Sequence, residues 1–496
     1  MEASSLVAIE IASSKIKGAA AVVGSDGRIT VLAVEEVHAP NSVRHGRVQN
    51  VREVSAAVND IIRRLEANPA VAPRKVMAVT LSLGGRSLGG TPATATLQFP
   101  KEIEVSEQTI RRLRNEAEKD FFASKNIEET IARNYYVNNV QVSPAVGTVG
   151  NNLRGEFLML TCARENRQNL ERLKFETIRS GNVAYKLRPL ALADAVLTDD
   201  DRQLGCALVD FGAETTTVAI YKNGTLAFLS TLPMGSRLIT RDLMAGLTLT
   251  EAAAEDFKIT LGDLSENPAE SANAEEVNNY VRARAGEIAA NIVNQIEVSA
   301  IGAENLGAGI ILTGGGSRLP EFGTMLGAQS RLAVRTAALP ACVRFADPAQ
   351  ATTANIDIVA MLMAADNDTE GLSPLETEAD PEPAEVREIV DDEPADERPR
   401  RAATPPAPPA RKTSSYRDED DDDLLEDDDD ADDDTPRNNR TAYWGGDDGE
   451  DDEEPEEEAD EQPAREQRSG KSIIESFRDR FARIFADPEQ DDNDRN

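Results

Sequence analysis

Apolar residues along the first part of the chain recur with two different spacings. Short apolar or alternating runs at Leu6–Ile11, Ile16–Val23, Ile29–Glu36 and Lys75–Ser82 predict β-strands. In Val51–Leu65 the apolar residues recur three and four positions apart, which predicts an amphipathic helix. Strands that alternate with helices are typical of an α/β fold with largely parallel sheets. The sequence therefore predicts this fold class for the region.

Residues 84–155 interrupt the alternation. Within them, Thr94–Phe99 predicts a strand and Ser106–Ala123 predicts a helix capped by its opening serine. The alternation resumes with a predicted strand at Phe157–Cys162 and a predicted helix at Asn166–Ser180. We expect a small inserted α+β subdomain in this part of the chain.

A second strand–turn–strand pattern follows the first after about 200 residues. Cys206–Asp210 is an apolar strand that ends in an acid, and Thr217–Lys222 is its predicted hairpin partner. The N-terminal hairpin has the same arrangement, with Glu10 near the end of its first strand. Two such hairpins indicate an internal duplication with a cleft between the halves.

Each hairpin combines an acid with small residues in its turn. Such a turn can direct backbone N–H groups at phosphate oxygens while the acid faces a hydrated metal ion. A third segment, a strand that runs into three glycines, suits close approach of a nucleoside. For any one of these turns alone, ordinary punctuation between a strand and a helix is the simpler explanation. The candidate nucleotide-binding residues are Glu10, Ala12, Ser13, Ser14 and Lys17 in the first hairpin, Asp210, Gly212, Ala213, Glu214, Thr215 and Thr216 in the second, and Gly314, Gly315, Gly316 and Ser317 in the third segment.

The acidity of the chain is concentrated in one segment. The formal net charge is −36, and residues 367–470 carry 40 Asp and Glu residues against 11 Lys and Arg residues. This Pro-rich acidic segment predicts a disordered linker, because it lacks the apolar surface that a core needs. The preceding head is nearly neutral and has no basic stripe, which argues against a nucleic-acid-binding protein.

Three separate cysteines, Cys162, Cys206 and Cys342, predict buried thiols in a reducing compartment rather than disulfides or a zinc site. The N-terminus lacks a basic and apolar leader, and no apolar run reaches the roughly 20 residues that cross a bilayer. We therefore expect a cytoplasmic protein whose membrane contact is peripheral.

The segment after the linker predicts an amphipathic helix at residues 471–486, followed by an acidic tail at 487–496. Apolar side chains fall within an arc of roughly 120° at helical spacing, and cations border that arc. This arrangement is typical of a helix that lies in an anionic lipid surface. Docking of the helix on the head or in a partner groove is the alternative. The candidate membrane residues are the apolar Ile473, Ile474, Phe477, Phe481, Ile484 and Phe485 and the cationic Lys471, Arg478, Arg480 and Arg483.

In order and spacing, the two hairpins and the glycine segment resemble the nucleotide motifs of the actin, sugar-kinase and heat-shock ATPase superfamily. Within it the chain most resembles the bacterial cell-division family FtsA. The segments that carry this resemblance are Gly46-Arg47-Val48-Gln49-Asn50, Ser143-Pro144-Ala145-Val146-Gly147, Arg188-Pro189-Leu190-Ala191-Leu192-Ala193-Asp194-Ala195-Val196-Leu197 and Leu208-Val209-Asp210-Phe211-Gly212.

The resemblance implies an actin-like fold with two lobes, duplicated and ribonuclease H-like, and with an inserted small α+β subdomain. The implied domains are residues 1–83 and 156–204 for the first lobe (subdomain 1A), 84–155 for the insertion (1C), 205–240 and 305–366 for the second lobe (2A), 241–304 for subdomain 2B, and 367–470 for the acidic linker.

The resemblance also implies an ATP-binding scaffold. Glu255 and Lys258 match the ribose-contacting acid and lysine of relatives, and Mg²⁺ would be held only through the nucleotide, with Asp210 orienting the metal or its water. The chain would self-associate on the cytoplasmic face of the inner membrane at the division septum. There it would anchor FtsZ filaments of the Z ring through the FtsZ C-terminal peptide and recruit later division proteins. Arg284, on a predicted helix at Val277–Ala300, matches a partner-contacting arginine of the family, although a lone helical arginine is more often a solvated surface residue.

Several positions depart from the family pattern. FtsA-like sequences usually have glycine where this chain has Ala12, Ala213 and Glu214, and often an acid at Thr217. A carboxylate at Glu214 would repel a triphosphate unless it turns away or acts through a metal ion. Arg188 stands where relatives that hydrolyse ATP often carry glutamine or glutamate, and arginine cannot act as a general base. We expect at most a slow ATPase, and a cleft that no longer binds nucleotide is the alternative.

Other actin-fold proteins compete with a division scaffold. A sugar kinase needs a catalytic acid, and Arg188 with the altered turns argues against efficient phosphoryl transfer. Pilus-assembly relatives share the insertion but are not expected to carry an acidic linker that ends in a membrane helix. Cell-shape relatives lack an insertion at this position. The tail and the insertion together favour the scaffold.

Overall fold

The computed structural model describes residues 4–38, 42–119, 125–175, 182–265, 272–366 and 370–374. Of the predicted acidic linker, residues 370–374 are described and pack against the predicted first lobe: the Gly371 N–H donates to the Ser5 carbonyl at 2.8 Å, and Leu372 is buried. The rest of the linker, the predicted amphipathic helix and the predicted acidic tail lie outside the described residues.

The described residues form strands and helices that alternate as the sequence predicts. In chain order the strands are β1 (Ser4–Ile11), β2 (Lys15–Val23), β3 (Ile29–His38), β4 (Val43–Arg44), β5 (Arg47–Val48), β6 (Val79–Leu83), β7 (Gly89–Glu104), β8 (Lys125–Val137), β9 (Val140–Val142), β10 (Val149–Ala163), β11 (Val183–Leu187), β12 (Cys206–Phe211), β13 (Thr216–Lys222), β14 (Thr225–Leu232), β15 (Ile310–Thr313), β16 (Val334–Thr336) and β17 (Val343–Phe345). The α-helices are α1 (Val51–Ala67), α2 (Glu107–Glu118), α3 (Arg164–Glu171), α4 (Arg188–Val196), α5 (Asp199–Leu204), α6 (Arg237–Leu247), α7 (Glu251–Leu261), α8 (Ala272–Val298), α9 (Phe322–Ser330) and α10 (Ile356–Met363).

The first sheet has the strand order β11-β6-β1-β2-β3-β17. Its centre is an antiparallel meander of β1, β2 and β3, to which β6 and β11 add in parallel on the side of β1. Helix α1 packs on β2 and β3, and begins after Asn50, whose side chain accepts a hydrogen bond from the Glu53 N–H at 3.1 Å. A Cβ at Gly18 would clash with Ile61 of this helix, so glycine allows the close approach of α1 to β2.

The second sheet repeats the first. Its order is β14-β13-β12-β15-β16, again an antiparallel meander followed by two parallel strands. Helices α6 to α9 surround a core beside this sheet, where the Phe211 and Phe322 rings lie 4.6 Å apart. Strands β12 and β1 hold the same place in the two sheets, and the internal duplication predicted from the sequence is confirmed.

The third sheet, β7-β10-β8-β9, packs with α2 around a separate small core. The helix begins as predicted, because the Ser106 side chain accepts from the Thr109 N–H at 3.2 Å. This sheet is the expected α+β insertion. The strand predicted at Phe157–Cys162 is the second half of β10 and pairs with β7 and β8, so it belongs to the inserted sheet rather than to the first one.

The ends of several predicted elements differ from the structure. The strand predicted at Lys75–Ser82 begins only at Val79, because the Met77 N–H donates to the Gly371 carbonyl instead of to the sheet. The helix predicted at Asn166–Ser180 is α3, which ends at Glu171. Residues 120–123 and 176–180, the C-terminal parts of two predicted helices, lie outside the described residues.

Two of the three cysteines are buried, as predicted. Burial raises the pKa of the Cys206 thiol to about 12 and also raises that of Cys162. Cys342 is exposed, contrary to the prediction, because it lies in the connection that precedes the short edge strand β17. Among the described helices, none is long and apolar enough to cross a membrane.

Candidate functional site

A cavity of about 460 Å³ is lined by the turns that follow β1 and β12, the glycine loop after β15, and helix α7. Cavities of this size are typical of small-molecule sites. Glu10 pairs in register with Lys17, and Asp210 with Thr217. The two acids therefore hold equivalent positions, one residue before the end of their strands.

Most of the predicted nucleotide-binding residues line this cavity. They are Glu10, Ala12, Ser13, Ser14, Gly212, Ala213, Glu214, Thr215, Glu255, Lys258, Gly315 and Gly316. The lining also includes Lys15 and Ser82, which were not among the candidates. Ser82 supports the first turn, because its hydroxyl accepts from the Ile11 N–H at 3.0 Å.

The remaining candidates in this set, Lys17, Asp210, Thr216, Gly314 and Ser317, are not part of the lining. The Lys17 ammonium donates to the Ala354 carbonyl, beyond the first sheet. The Thr216 hydroxyl donates to the Met234 carbonyl at 2.8 Å. The side chains of Lys17 and Thr216 are therefore bonded to carbonyl groups of the protein and do not line the cavity.

The glycine loop leaves space on one side and fits tightly on the other. Gly314 has φ +90°, and a Cβ there would clash with the Phe211 carbonyl. A Cβ at Gly316 would lie 2.6 Å from the Phe211 ring, whereas at Gly315 it would meet no atom within 4 Å. Gly315 is thus the position of the loop that opens on the cavity.

Arg188 directs its guanidinium into a cluster of three carboxylates. Its Nη2 lies 2.6 Å from Asp210 Oδ2 and 3.3 Å from Asp357 Oδ1, and its Nε lies 3.2 Å from Glu10 Oε1. The four residues come from β1, β12, α4 and α10. The side chains of Glu10 and Asp210 are only 3 % and 7 % exposed, so three acids share one guanidinium in a site that is largely shielded from water.

The environment shifts the protonation of these groups. Burial and the charge of Asp357 raise the pKa of Glu10 to about 7, against the opposing effect of Arg188. Burial likewise raises the pKa of Asp210 to about 6. Burial alone would lower the pKa of Arg188, but its acids together raise it above the usual value. Near neutral pH the arginine is therefore a cation, while Glu10 is partly protonated.

Magnesium does not fit this arrangement. Mg²⁺ binds oxygen ligands at about 2.0–2.1 Å or through its own water molecules. An ion held by Glu10 and Asp210 would therefore lie beside the Arg188 guanidinium and be repelled by it. Within the described ranges, no group of three or more His, Cys, Asp or Glu side chains is arranged to hold a metal ion.

The Glu214 carboxylate is neutralised by neighbours from both halves of the fold. Its Oε2 accepts from the His45 N–H at 2.6 Å, and its Oε1 accepts from Arg237 Nη1 at 2.9 Å. Arg237 Nη2 also donates to the Ser13 carbonyl at 3.3 Å. The acid that interrupts the usual glycine pattern thus joins the second turn to the first half of the fold.

Glu255 and Lys258 form a polar pair on the cavity wall. The Lys258 ammonium donates to Glu255 Oε2 at 2.7 Å, and the Thr240 hydroxyl donates to the same oxygen at 2.6 Å. Burial lowers the pKa of Lys258. Burial alone would raise the pKa of Glu255, but Lys258 and Thr240 lower it. The pair offers a fixed acceptor and donor to hydroxyl groups of a ligand.

Arg284, the candidate for partner contact, is held by acids of its own chain. Its Nε and Nη2 lie 2.5 Å and 2.9 Å from the Asp242 carboxylate, and Nη1 donates to Glu287. The ion pairs raise its pKa, with the Asp242 hydrogen bond as the largest cause. The candidate membrane residues lie outside the described residues.

Comparison with known proteins decides the family. The family model described as "Cell division protein FtsA" matches residues 207–489, more than half of the chain. The chain belongs to the FtsA family. It is 31 % identical over 330 residues to the cell division protein FtsA of Porphyromonas gingivalis, covering 63 % of this chain and 68 % of that protein. It is 27 % identical over 330 residues to FtsA of Neisseria meningitidis serogroup B, covering 63 % and 78 %.

A solved structure shows the same fold. The chain is similar to a chain of the PilM–PilN type IV pilus biogenesis complex, with a TM-score of 0.51 and 14 % identity, covering 72 % of this chain and 98 % of that one. At this identity the likeness concerns the fold alone. Together with FtsA family membership, it confirms the predicted actin-like fold.

Besides Lys15 and Ser82, sequence reasoning missed three further residues that shape the site. Asp357 opens the apolar helix α10, where an acid is readily explained by the helix N-terminus. His45 contributes through its backbone, which no motif marks. The unusual Glu214 indicated that a counter-charge was needed, but its spacing could not identify Arg237 as that partner.

Proposed function

We propose that this FtsA-family protein is a division scaffold that binds ATP in the cleft between its two duplicated halves. The observation that carries the proposal is the cavity of about 460 Å³ on which both acid-bearing hairpins, the glycine loop and the Glu255–Lys258 pair converge. Backbone N–H groups of such turns suit phosphate, and a neighbouring acid and lysine suit ribose hydroxyls. Hydrolysis is slow or absent, because Arg188 is a cation and cannot accept a proton.

The cavity offers one position at which a ligand can be excluded without disturbing the protein. Gly315 lines the cavity and a Cβ there would meet no atom within 4 Å, so Gly315→Ala should weaken ATP binding slightly and Gly315→Leu should weaken it strongly. Isothermal titration calorimetry of ATP into the full chain gives the affinity, and thermal melting confirms that each variant folds. A loss of tenfold or more for leucine, about 1.4 kcal/mol, is expected.

Gly323 of α9 is the matched control, since it does not line the cavity and a Cβ there would make only an ordinary contact with Val334 at 3.6 Å. Gly323→Ala should leave ATP binding unchanged. Absence of ATP binding by the unmodified chain, or unchanged binding by Gly315→Leu, would refute the nucleotide site.

The scaffold function includes a membrane anchor and protein partners. In this proposal residues 471–486 lie in anionic lipid on the cytoplasmic face of the inner membrane at the septum, residues 367–470 act as a spacer, and residues 241–304 receive the C-terminal peptide of FtsZ. The inserted subdomain serves self-association, and the assembly recruits later division proteins. Support comes from FtsA family membership and from the apolar and cationic pattern of the C-terminal segment.

Arg284 is our candidate for the FtsZ contact. Because Asp242 and Glu287 hold its guanidinium, the arginine is fixed in one orientation. An acidic group of a peptide would have to share this guanidinium with both acids.

A further inference from the structure

The structure places a protein cation where the two hairpin acids meet. The Arg188 guanidinium lies 2.6 Å from Asp210 and 3.2 Å from Glu10, which are the equivalent acids of the two duplicated halves. It is also 3.3 Å from Asp357. These acids belong to three different elements, so the guanidinium is fixed from three directions.

Arg188 is fixed but still faces the cleft. Its side chain is 16 % exposed and forms part of the cavity lining, next to the turns that the proposed phosphates would approach. The described ion pairs use Nε and Nη2, whereas a guanidinium has five N–H donors. The remaining donors are suited to phosphate oxygens, for which arginine is a preferred partner.

We propose that the cleft binds its nucleotide as the metal-free anion, with Arg188 supplying the positive charge that a divalent cation would otherwise place beside the phosphates. The ligand class is a free nucleoside triphosphate or diphosphate. This inference rests on the proposed nucleotide site, and it assigns Arg188 as the residue that makes binding independent of Mg²⁺.

The charges around the site are compatible with an anionic ligand. Lys17 acts on Glu10 as a second cation beside Arg188. Glu214 is paired with Arg237, so its charge is not left uncompensated beside the phosphates. Each of these acids therefore has a protein cation beside it, and Arg188 is the cation nearest to the turns that the phosphates would approach.

The test compares ATP binding to the full chain in excess EDTA and in excess MgCl₂, by isothermal titration calorimetry. For the unmodified protein we expect dissociation constants that differ by less than about fivefold. A double variant, Arg188→Gln with Asp357→Asn, removes one positive and one negative charge and leaves Glu10 and Asp210 free for an ion. Its binding should become dependent on Mg²⁺ by about tenfold or more.

Two further variants separate this role from a general effect of arginine. Arg188→Lys keeps the cation and should keep binding independent of Mg²⁺, although with lower affinity because the planar fork is lost. Arg335→Gln removes an arginine that pairs with Asp201 and is 44 % exposed. It should leave the ratio of the two dissociation constants unchanged. Circular dichroism and thermal melting establish that the variants fold.

The outcomes distinguish this inference from the nucleotide site itself. Binding in MgCl₂ that weakens about fivefold or more in EDTA would overturn the inference and leave the nucleotide site standing. A folded double variant that still binds equally well in EDTA would overturn the role of Arg188. No binding of ATP under either condition would overturn both proposals.

Discussion

At the scale of single residues, the cleft contains acids that are buried, although carboxylates are usually exposed to water. Glu10 is 3 % exposed, and burial together with Asp357 raises its pKa from 4.5 to about 7. The raised pKa means that the folded state binds the Glu10 proton more tightly than the unfolded state does. Glu10 therefore contributes stability that is fully present below pH 4.5 and is lost as the pH rises through about 7.

Glu10→Gln should remove this pH dependence, because glutamine stays neutral at every pH. Near pH 4 the variant and the unmodified chain should have similar stability, whereas at pH 8.5 the variant should be more stable by about 1–3 kcal/mol. Urea denaturation followed by circular dichroism at several pH values measures the difference. A difference that stays constant across this range would contradict the assignment of the raised pKa to Glu10.

Glu214 is a second residue with a testable role. Glu214→Ala should lower the free energy of unfolding by about 3 kcal/mol, because it deprives the partly buried Arg237 of its ion pair with a buried carboxylate and the His45 N–H of its acceptor. Glu214→Gln should cost less, since the amide oxygen still accepts from His45. The matched control is Glu251→Ala, whose carboxylate is 59 % exposed and 3.8 Å from Arg237, with an expected change within about 0.5 kcal/mol. Equal losses for Glu214→Ala and Glu251→Ala would contradict this account.

The sequence identifies the residues of a site more easily than their partners. Glu10 and Glu214 stand out as acids in or beside a turn of small residues, and Arg188 stands out as a cation at the start of an apolar helix. Asp357 and Arg237 belong to helices that lie far from the turns along the chain. Tertiary packing brings these two residues to the cleft, and residue type and spacing alone do not predict that packing.

At the scale of elements, the two hairpins and the apolar helices follow directly from the sequence pattern. Val51–Leu65 predicts α1 almost to its ends, because Asn50 caps its start and its apolar face is regular. The sequence pattern does not predict where β6 and β10 begin. The backbone just before β6 bonds to Gly371 instead of to the first sheet, and β10 begins within the inserted sheet. Such ends depend on the pairing strand rather than on local propensity.

In the proposed function, membrane attachment depends on the amphipathic helix predicted from the sequence at residues 471–486. Phe481→Glu places a charge near the middle of the apolar arc and should release the full chain from vesicles at any salt concentration. Arg480→Glu with Arg483→Glu should release it mainly from anionic vesicles, since each cation contributes roughly 1 kcal/mol there. Vesicle flotation measures both effects.

Glu475→Gln is the control for these variants, because Glu475 is predicted to lie opposite the apolar arc. It should leave vesicle binding unchanged. If Phe481→Glu instead keeps the chain on vesicles and lowers its melting temperature, the helix docks on the head and the membrane assignment is wrong.

At the scale of the whole molecule, we propose that the acidic segment at residues 367–470 connects a two-lobed actin-like head to a lipid anchor. Like charges in that segment repel one another and favour an extended spacer. Such a spacer would allow the head to bind FtsZ while the anchor stays in the membrane. The domain boundaries of this scheme stay predictions, whereas the actin-like fold and the FtsA family are established.

The most direct test of the proposed scaffold, which anchors FtsZ to the membrane, is co-sedimentation of FtsZ with vesicles of phosphatidylglycerol and phosphatidylcholine. FtsZ should pellet with the vesicles in the presence of the full chain, and should stay in the supernatant with a chain truncated after Gly470 or without vesicles. The account is contradicted if the full chain pellets with the vesicles while FtsZ remains in the supernatant, or if the truncated chain carries FtsZ to the vesicles equally well.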